Sequence, residues 1–223
     1  DPKGEPIGRV AFDVQDFVPQ KLKVELKPTQ KILRAGQPAT IDVNGRFLQA
    51  WGGPGAGYEW VNSQHGIFVD ADDNVWLSGS AKEDNQILKF TSAGKFVLQI
   101  GHAGKNTGSN DRENLGGPAG LFVHRPTNEL FVADGYFNHR VIVFDATTGA
   151  YIGVATLNTN GCSSSSYYNM VDATVDGTTV YTAHYTSYYL TKWSVITSGA
   201  SKSWRCDQSW SFSNNYVTGV DID

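Results

Sequence analysis

The chain has 223 residues, of which 12% are aromatic and only 18% are charged, and its 24 glycines outnumber its 8 prolines. A chain of this length can bury a core as one large or two small domains without help from disulfides or metals. Aromatic residues and glycines in these proportions are typical of short strands joined by tight turns, so we expect an all-β protein. The formal net charge is −4 and there is no block of lysine or arginine, which argues against a nucleic-acid or anionic-membrane partner.

The sequence also bears on the compartment. It contains no apolar run of signal-peptide length and none that approaches the roughly 18 to 20 residues that span a bilayer. Cys162 and Cys206 are its two cysteines, and they either form a disulfide or remain buried thiols. The low charge and the many Ser, Thr, Asn and Tyr residues favour an extracellular, periplasmic or cell-envelope location.

Residues 1–48 contain short runs in which apolar and polar residues alternate. The runs are VAFDVQDF, KLKVELKP and ATIDVNGRFL, with prolines between them. This pattern is typical of an antiparallel sandwich with one solvated face. About half of a small β-sandwich is therefore expected in this region.

The rest of the chain, residues 49–223, contains a repeat. Three segments read as strand, turn, strand, polar loop and strand, and they begin at His65, Ala119 and Val171. The template recurs after 54 and then 52 residues, and a partial fourth copy begins at Thr218. After each of the first two segments comes a glycine-containing turn and a further apolar strand, TSAGKFVLQIG and DATTGAYIGVA. Four strands at this period predict β-propeller blades, three complete and one partial.

Two long polar stretches lie between the repeats, at 101–117 and 158–169. Both are too rich in Gly, Asn and Ser for regular structure, so we expect surface loops on one rim. The G-x-x-G-K sequence that starts at Gly101 lacks the strand and helix of a phosphate-binding loop and is interpreted as part of such a loop.

The segments QAWGGPGAGYEWVNSQHGIFVDADDNVWLSG and ENLGGPAGLFVHRPTNELFVADGYFNHRVIVFDATTGAY resemble bacterial NHL-repeat propellers. Within that class the sequence is similar to the group related to the lyase domain of peptidylglycine amidating enzymes. The resemblance spans about residues 44–151 and is most specific at HGIFVD and at the Ala133–Tyr136 element. It implies a six-bladed propeller with a zinc held by three histidines, a structural calcium, and a tyrosine and arginines that act on a hydroxyglycine carbon.

Three residues of this sequence match the functional positions of that family. His65 falls on a zinc-histidine position, Ile67 on a calcium position that uses the backbone carbonyl, and Tyr136 on the catalytic tyrosine. The further zinc histidines belong at the later blade openings, where Val171 and Thr218 cannot replace them. An arginine expected after the third inner strand is also missing from TAHYTSYY. The resemblance therefore implies the fold more firmly than the reaction.

The sequence FDVQDFVPQKLKVELKPTQKILRAGQPATIDVNGRFL in residues 1–48 resembles part of a macroglobulin-type domain from a bacterial α2-macroglobulin-like protein. Only a fragment is present, without the thioester motif. Residues 152–223 keep the blade pattern but lack the sequence motifs of the lyase group. The chain therefore reads as a mosaic of three sources, either natural or composite.

Several residues have a structural as well as a functional interpretation. His65 is either a zinc ligand or a hydrogen-bonded channel histidine. The acidic stretch Asp72–Asn74 resembles a calcium loop, but the spacing favours a β-turn between two strands. Asp134 and Arg140 are expected to pair across a hairpin as a structural clamp. Tyr136 could act as a general base only with a pKa well below about 10.

Aromatic residues crowd the last third of the chain, and they either line a carbohydrate- or peptide-binding face or fill the space between blades. They are Tyr167, Tyr168, Tyr185, Tyr188, Tyr189, Trp204 and Trp210. Together these patterns predict an extracytoplasmic propeller scaffold or recognition module for a protein, peptide or glycan ligand. The alternative is a zinc-dependent lyase of the peptide-amidating type. In either case calcium or zinc is a candidate cofactor, and further blades from a second copy or another chain are expected to complete the ring.

Overall fold

A computed structural model describes most of the propeller region and part of the N-terminal region. The described residues are 22–28, 41–47, 49–156, 170–176, 179–185, 188–198, 201–212 and 216–220. Contacts divide the chain into two compact units, Asp1–Gly53 and Pro54–Asp223. In the described part of the chain, no helix is long and apolar enough to cross a membrane.

The first unit contains a two-stranded antiparallel sheet. Strands β1 (Leu22–Pro28) and β2 (Ile41–Phe47) pair so that Leu22 lies opposite Phe47 and Pro28 lies opposite Ile41. The assignment of residues 1–48 to a macroglobulin-like sandwich fragment, and the boundary at residue 48, remain predictions.

The second unit contains three consecutive four-stranded antiparallel segments, which we call blades 1, 2 and 3. Blade 1 consists of β3 (Gln64–Val69), β4 (Val75–Gly79), β5 (Gln86–Phe90) and β6 (Phe96–Gly101). Blade 2 consists of β7 (Leu121–His124), β8 (Glu129–Asp134), β9 (Arg140–Asp145) and β10 (Tyr151–Thr156). Blade 3 consists of β11 (Met170–Asp176), β12 (Thr179–His184), β13 (Tyr189–Ser198) and β14 (Ser201–Ser211). The prediction of an all-β protein built from propeller blades is confirmed.

The turns between the first two strands of blades 1 and 2 form as the sequence predicts. The Asp70 carboxylate accepts hydrogen bonds from the backbone N–H groups of Asp72 and Asn74, and Asp73 has a left-handed φ of 61°. The segment 72–74 is therefore the predicted β-turn. In blade 2 a short 3-10 helix, Arg125–Thr127, takes the same place and ends at Asn128, whose φ is 55°.

Blades 2 and 3 are joined in a way that the repeat pattern does not predict. Strand β14 pairs in parallel with β10, with Lys202 opposite Gly153 and Ser203 opposite Val154, so the two blades form one eight-stranded sheet. Strands β13 and β14 have 10 and 11 residues, compared with 4 to 6 residues for the strands of blade 2. The paired residues of β14 lie at its start, in the first three positions of the strand.

The blades pack face to face through two apolar cores. The core between blades 1 and 2 contains Trp76, Ile87 and Leu130, all fully buried. The core between blades 2 and 3 contains Phe131 and Trp193. Because blade 2 packs against both blade 1 and blade 3, its innermost strand β7 lies beside β3 and beside β11. Residues 216–220, the start of the predicted fourth blade, contain no strand.

Candidate functional site

The candidate site lies where the innermost strand of blade 1 meets the loop after β8 of blade 2. The hydroxyl of Tyr136 lies 2.8 Å from Nε2 of His65, and the two rings meet edge to face with centroids 5.2 Å apart. His65 is on the exposed face of β3, and Tyr136 is half-buried. The structure thus brings together two of the residues that the family resemblance singles out.

Packing between blades fixes this pair. Gly66, the neighbour of His65, approaches Ala119 so closely that a Cβ atom there would lie 1.8 Å from the Ala119 carbonyl oxygen. The Ser78 hydroxyl donates a hydrogen bond to the same carbonyl over 2.6 Å and accepts one from the Gly66 N–H. Tyr136 packs against Ala119 and Ala183. Both side chains of the pair therefore lie beside close packing contacts between blades 1, 2 and 3.

The pKa shifts of His65 and Tyr136 indicate that both side chains are uncharged at neutral pH. Burial lowers the pKa of the His65 imidazole below its usual value of 6.5, because a charged ring is poorly solvated there. Burial, with a smaller contribution from Tyr185, raises the pKa of Tyr136 above 10.0. At neutral pH the hydrogen bond therefore joins an uncharged imidazole to a protonated phenol. Catalysis by Tyr136 as a general base would require the opposite shift.

The described residues do not form a three-ligand metal site. Nε2 of His65 is engaged by Tyr136, and no group of three or more His, Cys, Asp or Glu side chains among the described residues could hold an ion. Thr218 is exposed, and the side chain of Val171 lies outside the described set. Ile67 lies two residues along β3 from His65, with its side chain 45% exposed. The zinc role of His65, the calcium role of Ile67 and the catalytic role of Tyr136 remain predictions.

Three of the other four histidines make side-chain hydrogen bonds away from the site. Nδ1 of His102 lies 3.0 Å from the Glu59 carboxylate, and Nδ1 of His124 lies 2.8 Å from the Thr127 hydroxyl. His184 is fully buried in blade 3, where its Nε2 lies 2.8 Å from the Thr182 hydroxyl. Each of these three imidazoles therefore has a hydrogen-bonding partner in the protein, and its position does not require a metal.

An exposed group of aromatic side chains flanks the site. The rings of Tyr185 and Tyr216 stack with centroids 4.5 Å apart, and Tyr188 lies 5.4 Å from Tyr216. Tyr185 is 36% and Tyr216 is 59% exposed, and a cavity of about 480 Å³ opens beside Tyr216 and Phe212. Val217 and Val220, which follow Tyr216, pack against the same Ala119 and Ala183 as Tyr136, which links the aromatic group to the pair.

The structure divides the aromatic residues that the sequence singled out. Tyr185 and Tyr188 belong to the exposed group, whereas Trp204 is buried in the core between blades and Tyr189 packs against that core. Tyr167 and Tyr168 lie outside the described residues. Sequence reasoning missed Tyr216 and Phe212, although both flank the polar sequence Ser-Asn-Asn at 213–215. Cys206 is buried and disulfide-bonded, and Cys162 lies outside the described residues.

Comparison with known proteins agrees with this architecture. No family model matches the chain. It is 29% identical over 140 residues to peptidyl-α-hydroxyglycine α-amidating lyase 1 of Drosophila melanogaster, and 35% identical over 82 residues to peptidyl-glycine α-amidating monooxygenase A of Xenopus laevis. It is also 30% identical over 106 residues to human NHL repeat-containing protein 3. The chain resembles NHL-repeat propellers.

These relatives are much longer than the matched segments. The matches cover 61%, 36% and 44% of this chain, but only 23%, 8% and 28% of the respective relatives. Among solved structures, a variant of Kluyveromyces lactis Hsv2 with loop 6CD replaced by a Gly-Ser linker aligns with a TM-score of 0.51 at 10% identity. That alignment covers 95% of this chain and 76% of the other. At this identity it supports the fold alone.

Proposed function

We propose that this propeller is a recognition module that binds a peptide segment beside His65 and Tyr136. The observation that carries the proposal is the neutral hydrogen bond between these two side chains, next to the exposed Tyr185–Tyr216 stack. An imidazole and a phenol can exchange hydrogen bonds with peptide amides, and exposed tyrosine rings supply contact area at a low cost in conformational entropy.

The relatives support a peptide as the ligand. Two of them carry names that describe peptidyl substrates, and the third is named only for its NHL repeats. Since this chain spans less than a third of each relative, we extend only the ligand class to it and not their reactions.

We place the module outside the cytoplasm. The disulfide bond of Cys206 is of a kind that persists in oxidising compartments. The charged fraction of only 18% supports the same location.

We also propose that further blades, from a second copy or another chain, cover the exposed apolar side chains of blade 1. On β3 the side chains of Ile67 and Val69 are 45% and 55% exposed, and Val97 on β6 is 47% exposed. Apolar side chains on an inner or outer blade strand are normally covered by the adjacent blade. Light scattering at increasing concentration should show association, and Ile67→Glu with Val69→Glu should abolish it. A monomer at every concentration would argue against self-association.

A zinc-dependent lyase of the peptide-amidating type is the second candidate. It is favoured by the approach of His65 to Tyr136, the pair that the family resemblance assigns to zinc and to catalysis. The residues described do not fit a three-histidine zinc site, because His65 is the one imidazole at this position and its Nε2 already contacts a phenol. We therefore derive no step through a metal.

Selection of random 12-residue peptides on the intact chain tests the recognition function. We expect enriched peptides to lose at least tenfold in affinity on Tyr136→Phe and on His65→Gln, since each variant removes one partner of the pair. His124→Gln, which removes an imidazole from a turn outside the site, is the matched control. Equal affinity for all four proteins would exclude the pair as the binding site.

Elemental analysis and a glyoxylate assay separate the two candidates. A recognition module should carry zinc well below one equivalent and release no glyoxylate from an α-hydroxyglycine peptide. Stoichiometric zinc that is lost in His65→Ala, together with glyoxylate release, would establish the lyase instead.

A further inference from the structure

A second candidate binding site lies on the outer side of the contact between blades 1 and 2, away from the His65–Tyr136 pair. A cavity of about 450 Å³ opens there between the end of β6, the loop that follows it, and the start of β10. A smaller cavity of about 180 Å³ adjoins it, and Arg112 and Tyr151 line both. The larger volume is within the usual range for small-ligand sites.

Arg112 is the feature that gives this cavity its chemistry. Its guanidinium carbon lies 5.3 Å from the centroid of the Tyr151 ring, within cation–π distance. The side chain is exposed, and within the part of the chain that the structure describes it makes no hydrogen bond or ion pair. All five of its N–H donors are therefore available to a ligand.

The backbone that carries Arg112 is rigid. On either side of it, the carbonyls of Asp111 and Asn114 accept hydrogen bonds from the buried guanidinium of Arg140. The Asp111 carboxylate in turn accepts backbone N–H groups of Glu113 and Asn114, each over 2.9 Å. Because the loop is held at these points, a ligand would not need to order it on binding.

The other residues that line the cavity indicate what kind of ligand it could hold. Ile100, Phe144 and Tyr151 form an apolar floor, which suits a hydrocarbon or aromatic body. Gln99 and His102 also line the cavity, but both are hydrogen-bonded to the Glu59 carboxylate. The Gln99 amide and Nδ1 of His102 are thus already engaged.

The Glu113 carboxylate affects which ligand charge the cavity favours. It lines the same cavity as Arg112 and makes no side-chain hydrogen bond or ion pair with the rest of the described chain. One guanidinium beside one carboxylate leaves the site close to neutral, so a doubly charged phosphate would gain little attraction over a singly charged carboxylate. Arg112 matches a carboxylate by two parallel N–H···O bonds.

We propose that this cavity binds an organic carboxylate with an apolar or aromatic body, through Arg112 and the apolar floor. Such a carboxylate could belong to a free aromatic acid or to the C-terminal residue of a peptide. Both sources share the same recognition, and the choice between them is an outcome of the test. The site shares no residue with the proposed peptide site, so either can fail alone.

Chemical-shift titration of the intact chain, with the backbone and Arg side-chain N–H resonances observed, tests the proposal. The probes are phenylacetate, N-acetyl-phenylalanine and its neutral counterpart N-acetyl-phenylalaninamide. We expect saturable shifts around Arg112 and Tyr151 for the two acids, with a Kd on the order of 1 mM, and at least tenfold weaker binding of the amide. Binding of both acids supports recognition of a carboxylate from either source. Binding of one acid alone shows whether the ligand is a free aromatic acid or the C-terminal residue of a peptide.

Three variants locate the binding group. Arg112→Gln should weaken acid binding at least tenfold, whereas Arg125→Gln, which removes an exposed arginine from the 3-10 helix of blade 2, should leave it unchanged. Glu113→Gln should leave binding of the monoanions intact or strengthen it. Equal binding of acid and amide, no loss in Arg112→Gln, or no saturable shift up to about 20 mM would overturn the proposal.

Discussion

The guanidinium of Arg140 donates a hydrogen bond over 2.7 Å to the carboxylate of Asp134, and the two side chains are 1% and 0% exposed. The same carboxylate accepts the N–H of Gly116 over 2.6 Å, and Arg140 reaches the carbonyl oxygen of Asn114 over 2.8 Å. The ion pair therefore ties the β8–β9 hairpin to the long loop between blades 1 and 2. This loop carries both Arg112 and the buried residues before β7.

Removal of one partner of this pair should destabilise the propeller strongly. Asp134→Ala leaves the Arg140 charge buried without its counter-ion, for which we expect a loss of about 3–5 kcal/mol in the free energy of unfolding. Urea unfolding followed by circular dichroism measures the change.

The matched control is the exposed ion pair between Arg205 and Asp207 on β14, where Nη2 and Oδ1 are 3.0 Å apart. Because Arg205 is largely exposed, Arg205→Ala should cost no more than about 1 kcal/mol. Comparable losses in the two variants would contradict a structural role for burial of the Asp134–Arg140 pair.

Local features of this fold could be predicted from the sequence. The clamp between Asp134 and Arg140 was predicted because the two residues end and begin adjacent strands of one hairpin. The turn after Asp70 was predicted because Asx side chains bond the backbone two to four residues ahead. Both depend on residues no more than six positions apart.

Contacts between distant segments could not be predicted in this way. Arg140 donates to carbonyls 26 to 31 residues earlier in the chain, and Arg112, in the loop between blades 1 and 2, lies over the ring of Tyr151 in blade 2. The parallel pairing of β14 with β10 likewise joins residues 49 positions apart, Gly153 and Lys202. For the candidate site, the family resemblance selected His65 and Tyr136, but only the structure shows that they share a hydrogen bond and lie beside Tyr216.

The contact between blades 1 and 2 gives a second prediction, at Gly66. An added Cβ atom would lie 1.8 Å from the backbone oxygen of Ala119, which cannot move without shifting blade 2. Gly66→Ala should therefore destabilise the protein by at least about 1–3 kcal/mol in urea unfolding, as overpacking does.

Ile67→Ala on the same strand is the control for Gly66→Ala. The Ile67 side chain is 45% exposed and lies on the opposite face of β3, so its loss should cost less than about 1 kcal/mol. If Ile67→Ala is the more damaging variant, the tight approach of β3 to Ala119 is not a main determinant of blade packing.

The third prediction concerns the titration of the candidate site. Burial lowers the pKa of His65 below 6.5, so its neutral form contributes stability that is fully present above pH 6.5 and is lost as the pH falls through the lower, folded value. NMR titration should place the His65 midpoint below 6.5. Tyr136 should ionise above pH 10 in an ultraviolet titration, in the difference between wild type and Tyr136→Phe. A Tyr136 midpoint below 10 would instead indicate a phenol activated for base catalysis.

The fourth prediction concerns His184, which is buried in blade 3. Its Nε2 lies 2.8 Å from the Thr182 hydroxyl and 3.0 Å from the Thr191 hydroxyl, and Trp193 donates its indole N–H to Thr191 over 2.8 Å. Burial lowers the pKa of His184 to about 3. The imidazole is thus neutral in the folded protein throughout the physiological range, and a proton on it would be a buried charge.

This shift makes blade 3 sensitive to acid. As the pH falls from about 6.5 towards 3, the unfolded chain binds a proton at His184 that the folded chain excludes, so the stability due to the neutral imidazole is lost over this window.

His184→Gln places an amide near the position of Nε2 and does not titrate. We expect it to be less stable than the wild type at pH 7.5, by about 1–3 kcal/mol, and the difference to shrink or reverse at pH 4.5. Thr191→Val removes a hydroxyl but keeps the imidazole, so its stability should fall in parallel with that of the wild type between the two pH values. Urea unfolding at both pH values measures all three proteins, and a constant difference between His184→Gln and wild type would show that His184 does not take up its proton on unfolding.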